Sequence, residues 1–206
     1  MRSRSILAML IHGALSGGVL LGATPIVAQQ LRPGDRITYE WLGRGSSAFV
    51  YEGNGLYRNE ATGGSYRVND AGQLVQRSDG MRFSPHEGQH PPSGTFVVGE
   101  QWTHEYEATK GSDTTSLKRD CRVSAINPYS SGNFVVPSAA TIHCTVSTVV
   151  SVWSSTSSVS RTHIEVRAPK DFSAFPLEAH ISWPPSGQHP GGDSKFRTTA
   201  ITRAAP

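Results

Sequence analysis

Trp102-Thr103-His104-Glu105-Tyr106-Glu107 carries ring-bearing residues at every second position and small or charged residues between them. A period of two is the mark of a strand with one packed face and one wet face, because successive side chains leave a pleated chain on opposite sides. The same period recurs on either side of this stretch. Ile37, Tyr39 and Trp41 alternate with Arg36, Thr38 and Glu40. Cys121, Val123 and Ala125 alternate with Arg122 and Ser124, and Ile142, Cys144 and Val146 with Thr141, His143 and Thr145. Leu177, Ala179, Ile181 and Trp183 alternate with Glu178, His180 and Ser182. Weaker strands are expected over 48–52, 55–58, 65–69 and 74–77, set apart by turn-forming stretches such as Glu52-Gly53-Asn54-Gly55 and Ala61-Thr62-Gly63-Gly64. No stretch has the apolar spacing of a helix. The fold expected is all-β: an antiparallel meander closed into a barrel-like or sandwich domain.

Composition sets the outer limits. The chain has 206 residues, 36% hydrophobic and 17% charged, with 21 Gly and 13 Pro. That is too apolar for a disordered chain and too rich in turn formers for a helical bundle or coiled coil. The N-terminus reads as a secretory signal over residues 1–28. Arg2 and Arg4 precede an apolar run from Ile6 to about Leu21, and Ala23-Thr24-Pro25-Ile26-Val27-Ala28 offers a helix breaker and a small residue at the cut. A membrane anchor fits less well, because the run is short and interrupted by Gly13, Gly17 and Gly18. No later segment is long and apolar enough to span a bilayer as a helix. Losing Arg2 and Arg4 lowers the net charge from +3 to +1, and Lys118-Arg119 is the longest basic run left. Nucleic acid is therefore not an expected partner.

The two cysteines, Cys121 and Cys144, both lie in the mature part. In an exported chain they are expected to form one disulfide, with a pair of buried thiols as the alternative. Each falls on the apolar face of its own strand, so a disulfide between neighbouring strands would sit inside and fix their register.

A single β-rich domain is expected over 29–183. Within it, Gly34-Asp35-Arg36-Ile37-Thr38-Tyr39-Glu40-Trp41 and Gly99-Glu100-Gln101-Trp102-Thr103-His104-Glu105-Tyr106 share Gly, Thr and Glu and an acid after the Gly. Two related halves, 31–83 and 95–183, would account for this, and so would chance likeness between amphipathic strands. The Pro/Gly-rich stretch 83–94 is expected to link two groups of strands. Eleven of the eighteen residues from Thr145 to Thr162 are Ser or Thr, which suits a hairpin with a polar outer face turning near 154–158. Residues 184–206 lack apolar periodicity and are expected to form a flexible tail.

Phe83-Ser84-Pro85, Val98-Gly99-Glu100-Gln101-Trp102, Arg122-Val123, Gly132-Asn133-Phe134 and Thr141-Ile142-His143-Cys144 follow one another in an order that resembles uncharacterised secreted or periplasmic families of Gram-negative bacteria. The match covers about residues 80–150. The resemblance implies an envelope-associated β domain of unknown function and supplies no catalytic residues.

Few residues suggest chemistry. His86-Glu87-Gly88-Gln89-His90 fits the zinc-protease pattern His-Glu-x-x-His, in which a helix sets two imidazoles one turn apart and the glutamate activates a metal-bound water. Pro85, Gly88 and Pro91-Pro92 oppose that helix, and the plain expectation is a solvated loop. Gly43-Arg44-Gly45-Ser46-Ser47-Ala48 fits a dinucleotide fingerprint but leads into strand and turn rather than a helix, so a hairpin loop is expected. Glu105 and Glu107 share a strand face, which reads as a solvated surface before it reads as an acid–base pair. Trp41, Trp102 and Tyr106 are candidates to wall an apolar pocket, with core packing as the default for the two tryptophans.

These features point to an exported, non-enzymatic β domain, periplasmic or secreted, that binds an envelope protein or a small ligand and needs no cofactor. The alternatives are a barrel-like carrier of a small apolar ligand and, more remotely, a zinc-dependent hydrolase using His86 and His90.

Overall fold

Alternation on the page becomes strands in space. The computed structural model describes residues 26–27, 30–70, 73–87, 91, 93–152, 155–168, 176–185 and 190–205. Among these, the first six strands of the meander are short: β2 (Arg36–Trp41), β3 (Gly45–Gly53), β4 (Leu56–Asn59), β5 (Ser65–Val68), β6 (Leu74–Arg77) and β7 (Arg82–Glu87). The next six, most of them longer, are β8 (Gln101–Lys110), β9 (Asp113–Ser131), β10 (Phe134–Val152), β11 (Ser155–Arg167), β12 (Pro176–Trp183) and β13 (Gly192–Thr202). Each strand pairs antiparallel with the next, and β13 pairs with β2, so the twelve close into a barrel. A two-residue strand, β1 (Ile26–Val27), runs parallel to Phe134 and Val135 of β10; it falls inside the expected signal segment, whose residues 1–25 lie outside the described residues.

The closing strand corrects one expectation. Gly192–Thr202 is no tail: it pairs with β12 on one side and β2 on the other, and Thr198 and Ile201 are buried. Its periodicity was hidden by a register shift between Thr198 and Ala200, which moves Ile201 rather than Ala200 onto the packed face. The expected linker is corrected in part as well. Phe83 is buried in β7, which pairs with β8 through Arg82–Thr109, Phe83–Ala108 and Ser84–Glu107. The ladder ends where Pro85 has no amide to donate. The Ser/Thr-rich hairpin is present, but pairing runs out to Val152–Ser155, so residues 155–158 belong to a strand rather than to the turn.

The two faces of the wall differ as the sequence requires. On β8 and β9 the outward pairs are Gln101–Arg122, Thr103–Asp120 and Glu105–Lys118, with Thr103 Oγ1 donating to Asp120 at 2.6 Å. The inward residues Trp102, Tyr106, Cys121 and Val123 are buried. A barrel in lipid has the opposite order, with an apolar outer band. This wall faces water. Glu105 and Glu107 sit on that outer face, exposed, opposite Lys118 and Ser116.

Among the described residues, three apolar clusters fill the interior. The largest joins Ile37 and Tyr39 of β2, Tyr57, Leu177 and Ile201 with Phe134 and Val136 of β10. One register shift between β9 and β10 spans Pro137, which together with Pro128 on β9 removes ladder donors. The hairpin tip then docks on β13. Asn133 Nδ2 donates to Ile201 O at 2.9 Å, Ile201 N donates to Asn133 Oδ1 at 3.1 Å, and Ser131 Oγ donates to Thr198 O at 2.6 Å. Gly132, at φ +54°, lies where a Cβ would stand 1.8 Å from Thr199 O, so no other residue fits. Trp102, Cys121, Val123, Ala140, Ile142 and Cys144 form the second cluster, and Phe83, Tyr106 and Ala108 the third.

Candidate functional site

Strands β2 to β5, together with Phe196 of β13, carry aromatic residues that meet as a chain of rings. Trp41 and Phe196 lie 4.7 Å apart between centroids, Phe196 and Tyr39 5.6 Å, Tyr39 and Phe49 5.8 Å, Phe49 and Tyr66 5.0 Å, and Tyr66 and Tyr57 6.2 Å. Tyr39 and Tyr57 are buried at the back, each 4% exposed. Burial, with Tyr57 nearby, raises the Tyr39 hydroxyl well above the usual phenol range, and burial does the same to Tyr66. Both stay neutral at physiological pH.

In front of them Trp41, Phe49, Tyr66 and Leu74 wall an open recess of about 420 Å³. Its volume lies in the range of small-ligand pockets. The rim comes from the turns around β5 and β6. Ser78 Oγ accepts from Ser65 N at 2.8 Å, and Thr62 Oγ1 from Gly64 N at 3.2 Å. A hydroxyl that accepts in this way keeps its own proton to donate outward. Arg77 and Asp79, also on the rim, pair with each other at 3.1 Å. The recess can hold a ring against aromatic faces and offer its edge both donors and acceptors. None of these groups forms a nucleophile–base pair.

A second polar constellation lies inside the barrel. Glu165 on β11 is 4% exposed and accepts from Arg119 Nη2 of β9 at 3.1 Å and from Arg167 Nε at 2.7 Å. His163 Nδ1 lies 3.4 Å from the same carboxylate and 3.2 Å from Arg119 Nη2. Burial pushes the Glu165 carboxyl up, but Arg167, Arg119 and His163 outweigh it and hold it well below the usual carboxylate range. A carboxylate held this firmly ionised is a poor proton acceptor; the cluster acts as a polar strut across the apolar interior. Next to it Cys121 and Cys144, directly opposite on β9 and β10, are joined by a disulfide.

The three pocket candidates from sequence do not come together. Trp41 lines the recess, Trp102 packs with the disulfide in the second cluster, and Tyr106 with Phe83 in the third. Among the described residues, Trp102 and Tyr106 each pack into a separate apolar cluster rather than around one shared hollow. Gly43 to Ala48 form a turn and the start of β3, with no helix to seat a pyrophosphate. His86 belongs to strand β7 in its backbone rather than to a helix; its side chain and the whole of His90 lie outside the described residues, as does Trp153. No group of three or more His, Cys, Asp or Glu that could hold a metal occurs among the described residues.

Sequence reading missed Phe49, on the nine-residue β3, and Tyr66 and Leu74, which sit on strands of four residues, too short to show a convincing period. The available signal was the recurrence of aromatics on successive short strands: Phe49 and Tyr51, Tyr57, then Tyr66. Arg119 was missed as an interior residue although it stands two positions before Cys121, on the same face.

No protein-family model matches the sequence, and no curated protein matches it. Among solved structures, the hypothetical lipoprotein YmcC from Escherichia coli (K12) is similar at a TM-score of 0.47 and 10% identity, over 86% of this chain and 90% of that one.

Proposed function

We propose that this chain is an exported, water-facing β-barrel that acts by binding a small ligand in the recess walled by Trp41, Phe49 and Tyr66, without catalysis. The recess carries the reading: preformed aromatic faces backed by buried rings, with a polar rim. Export is supported by the order of Arg2, Arg4, the apolar run and Ala28, and by the disulfide, which suits the periplasm or the cell exterior. Native mass spectrometry of the protein purified from its exported fraction, beside a denatured control, tests this. A small organic adduct on the wild type, absent from Trp41→Ala, is the expected result. The bare chain in both forms counts against it.

A protein partner in the envelope is the second reading, favoured by Val97 and Val98, which stand 58% and 57% exposed side by side before β8. Cross-linking from a probe at Val98 decides it: a discrete adduct with an envelope protein supports this reading, and its absence removes it.

A further inference from the structure

We propose that the ligand class of the recess is a neutral saccharide, one pyranose face lying on the aromatic wall and its hydroxyls meeting the rim. This rests on the reading of the recess as the binding site. Depth counts against the main rival, a linear acyl chain. Among the described residues, Tyr39 packs against Phe49 and Tyr57 against Tyr66, each of the two 4% exposed, so a second layer of rings backs this part of the wall. A flat, shallow, aromatic-walled recess suits a compact ring with an apolar face.

The rim points the same way. The Ser78 and Thr62 hydroxyls each accept one backbone N–H and so present a donor outward. Asp79 adds acceptor oxygens and Arg77 donors. Because Asp79 is met by Arg77 at 3.1 Å and by Lys110 at 3.5 Å, its charge is already compensated. Donors and acceptors interleaved around an aromatic wall match a polyol, in which each hydroxyl both donates and accepts. A purely apolar ligand would make no hydrogen bond to these polar groups, so the rim would add nothing to its affinity.

The test uses the exported, disulfide-bonded protein labelled with ¹⁵N. It is titrated separately with maltose, cellobiose and N,N′-diacetylchitobiose, and with anilinonaphthalenesulfonate as an apolar probe. At least one disaccharide is expected to shift the Trp41 indole N–H and the Ser65 and Ser78 amides saturably. Tyr66→Ala removes the response, but Tyr66 also packs against Phe49 and Tyr57 and its loss can disturb the fold. Ser78→Ala is the second variant. Ser78 is exposed, and removing its hydroxyl is expected to weaken the disaccharide by about threefold to tenfold while anilinonaphthalenesulfonate binding stays within about twofold. If the apolar probe moves these resonances and no disaccharide does, the saccharide assignment is overturned and the recess remains the binding site. If neither moves them, the assignment and the binding reading fall together.

Discussion

Asp35, just before the first barrel strand, is ion-paired with Arg203, just after the last, across 168 residues of sequence. Asp35 is 1% exposed and also accepts from Arg32 N at 2.8 Å and Ala204 N at 3.0 Å. It therefore ties the segments on either side of the barrel's strands to the seam where β13 meets β2. Trp41 and Phe196 of the recess's chain of rings are paired across that same seam.

The Asp35 latch makes stability depend on pH. Burial pushes its carboxyl up, but the Arg32 and Ala204 amides and the Arg203 guanidinium outweigh burial and hold it below its ordinary value. A depressed folded-state pKa contributes stability above the unfolded carboxylate value, near 3.9, that is lost as pH falls through the folded value. Asp35→Asn is expected to cost about 2 kcal/mol at pH 7. The gap from wild type should close in urea titrations carried down through pH 4 to pH 2. A gap that stays constant with pH would mean that the charge of Asp35 contributes nothing.

Glu165 is expected to be the least replaceable polar residue of the interior. Glu165→Gln leaves Arg119 and Arg167, both 2% exposed, without their shared carboxylate. Removing one partner of a buried ion cluster costs about 3–5 kcal/mol. Chemical denaturation measures it; a loss under about 1 kcal/mol would contradict the strut role.

The hairpin tip gives a graded pair of variants. Asn133→Ala removes two hydrogen bonds to Ile201 and is expected to cost about 1–3 kcal/mol. Gly132→Ala brings a methyl against Thr199 O and should force the tip off β13, with the larger loss. Hydrogen exchange at the Ile201 amide is the specific readout. It should accelerate in both variants while exchange at Val123 changes less.

Reduction of the disulfide tests the register of the long strands. Cys121 and Cys144 close a loop of 23 residues, worth about 3.4 kcal/mol by chain entropy. Urea unfolding with and without a reductant should differ by about that much. Equal midpoints would show that the β9–β10 pairing needs no cross-link.

The sequence was most legible where strands are long and one-sided. Along β8, from Lys118 to Ala125 of β9 and from Ile142 to Val146 of β10 the buried positions fall two apart, which put each cysteine on the packed face of its strand; at the register shift before Ala139 that period breaks, and Ala139 and Ala140 are both buried. Legibility failed at irregularities. A register shift at Thr199 disguised β13 as a tail, and Pro85 made β7 look like a linker. Strands of four residues, such as β4 to β6, are too short to establish a period, so Tyr66 and Leu74, which wall the recess with Trp41 and Phe49, stayed hidden. Arg119 and Glu165 went unread for a different reason. Alternation puts them inside, but only the strand pairing, with β9 and β11 on either side of β10, brings them close enough for each charge to be met.

The most direct measurement of where this protein binds is a ¹H–¹⁵N spectrum of the exported protein, recorded before and after adding the small-molecule fraction extracted from the cell envelope. The account predicts shifts confined to the Trp41 indole and to Phe49, Ser65, Tyr66 and Ser78. Shifts at Val97 and Val98 with the recess unmoved, or no shifts at all, would contradict it.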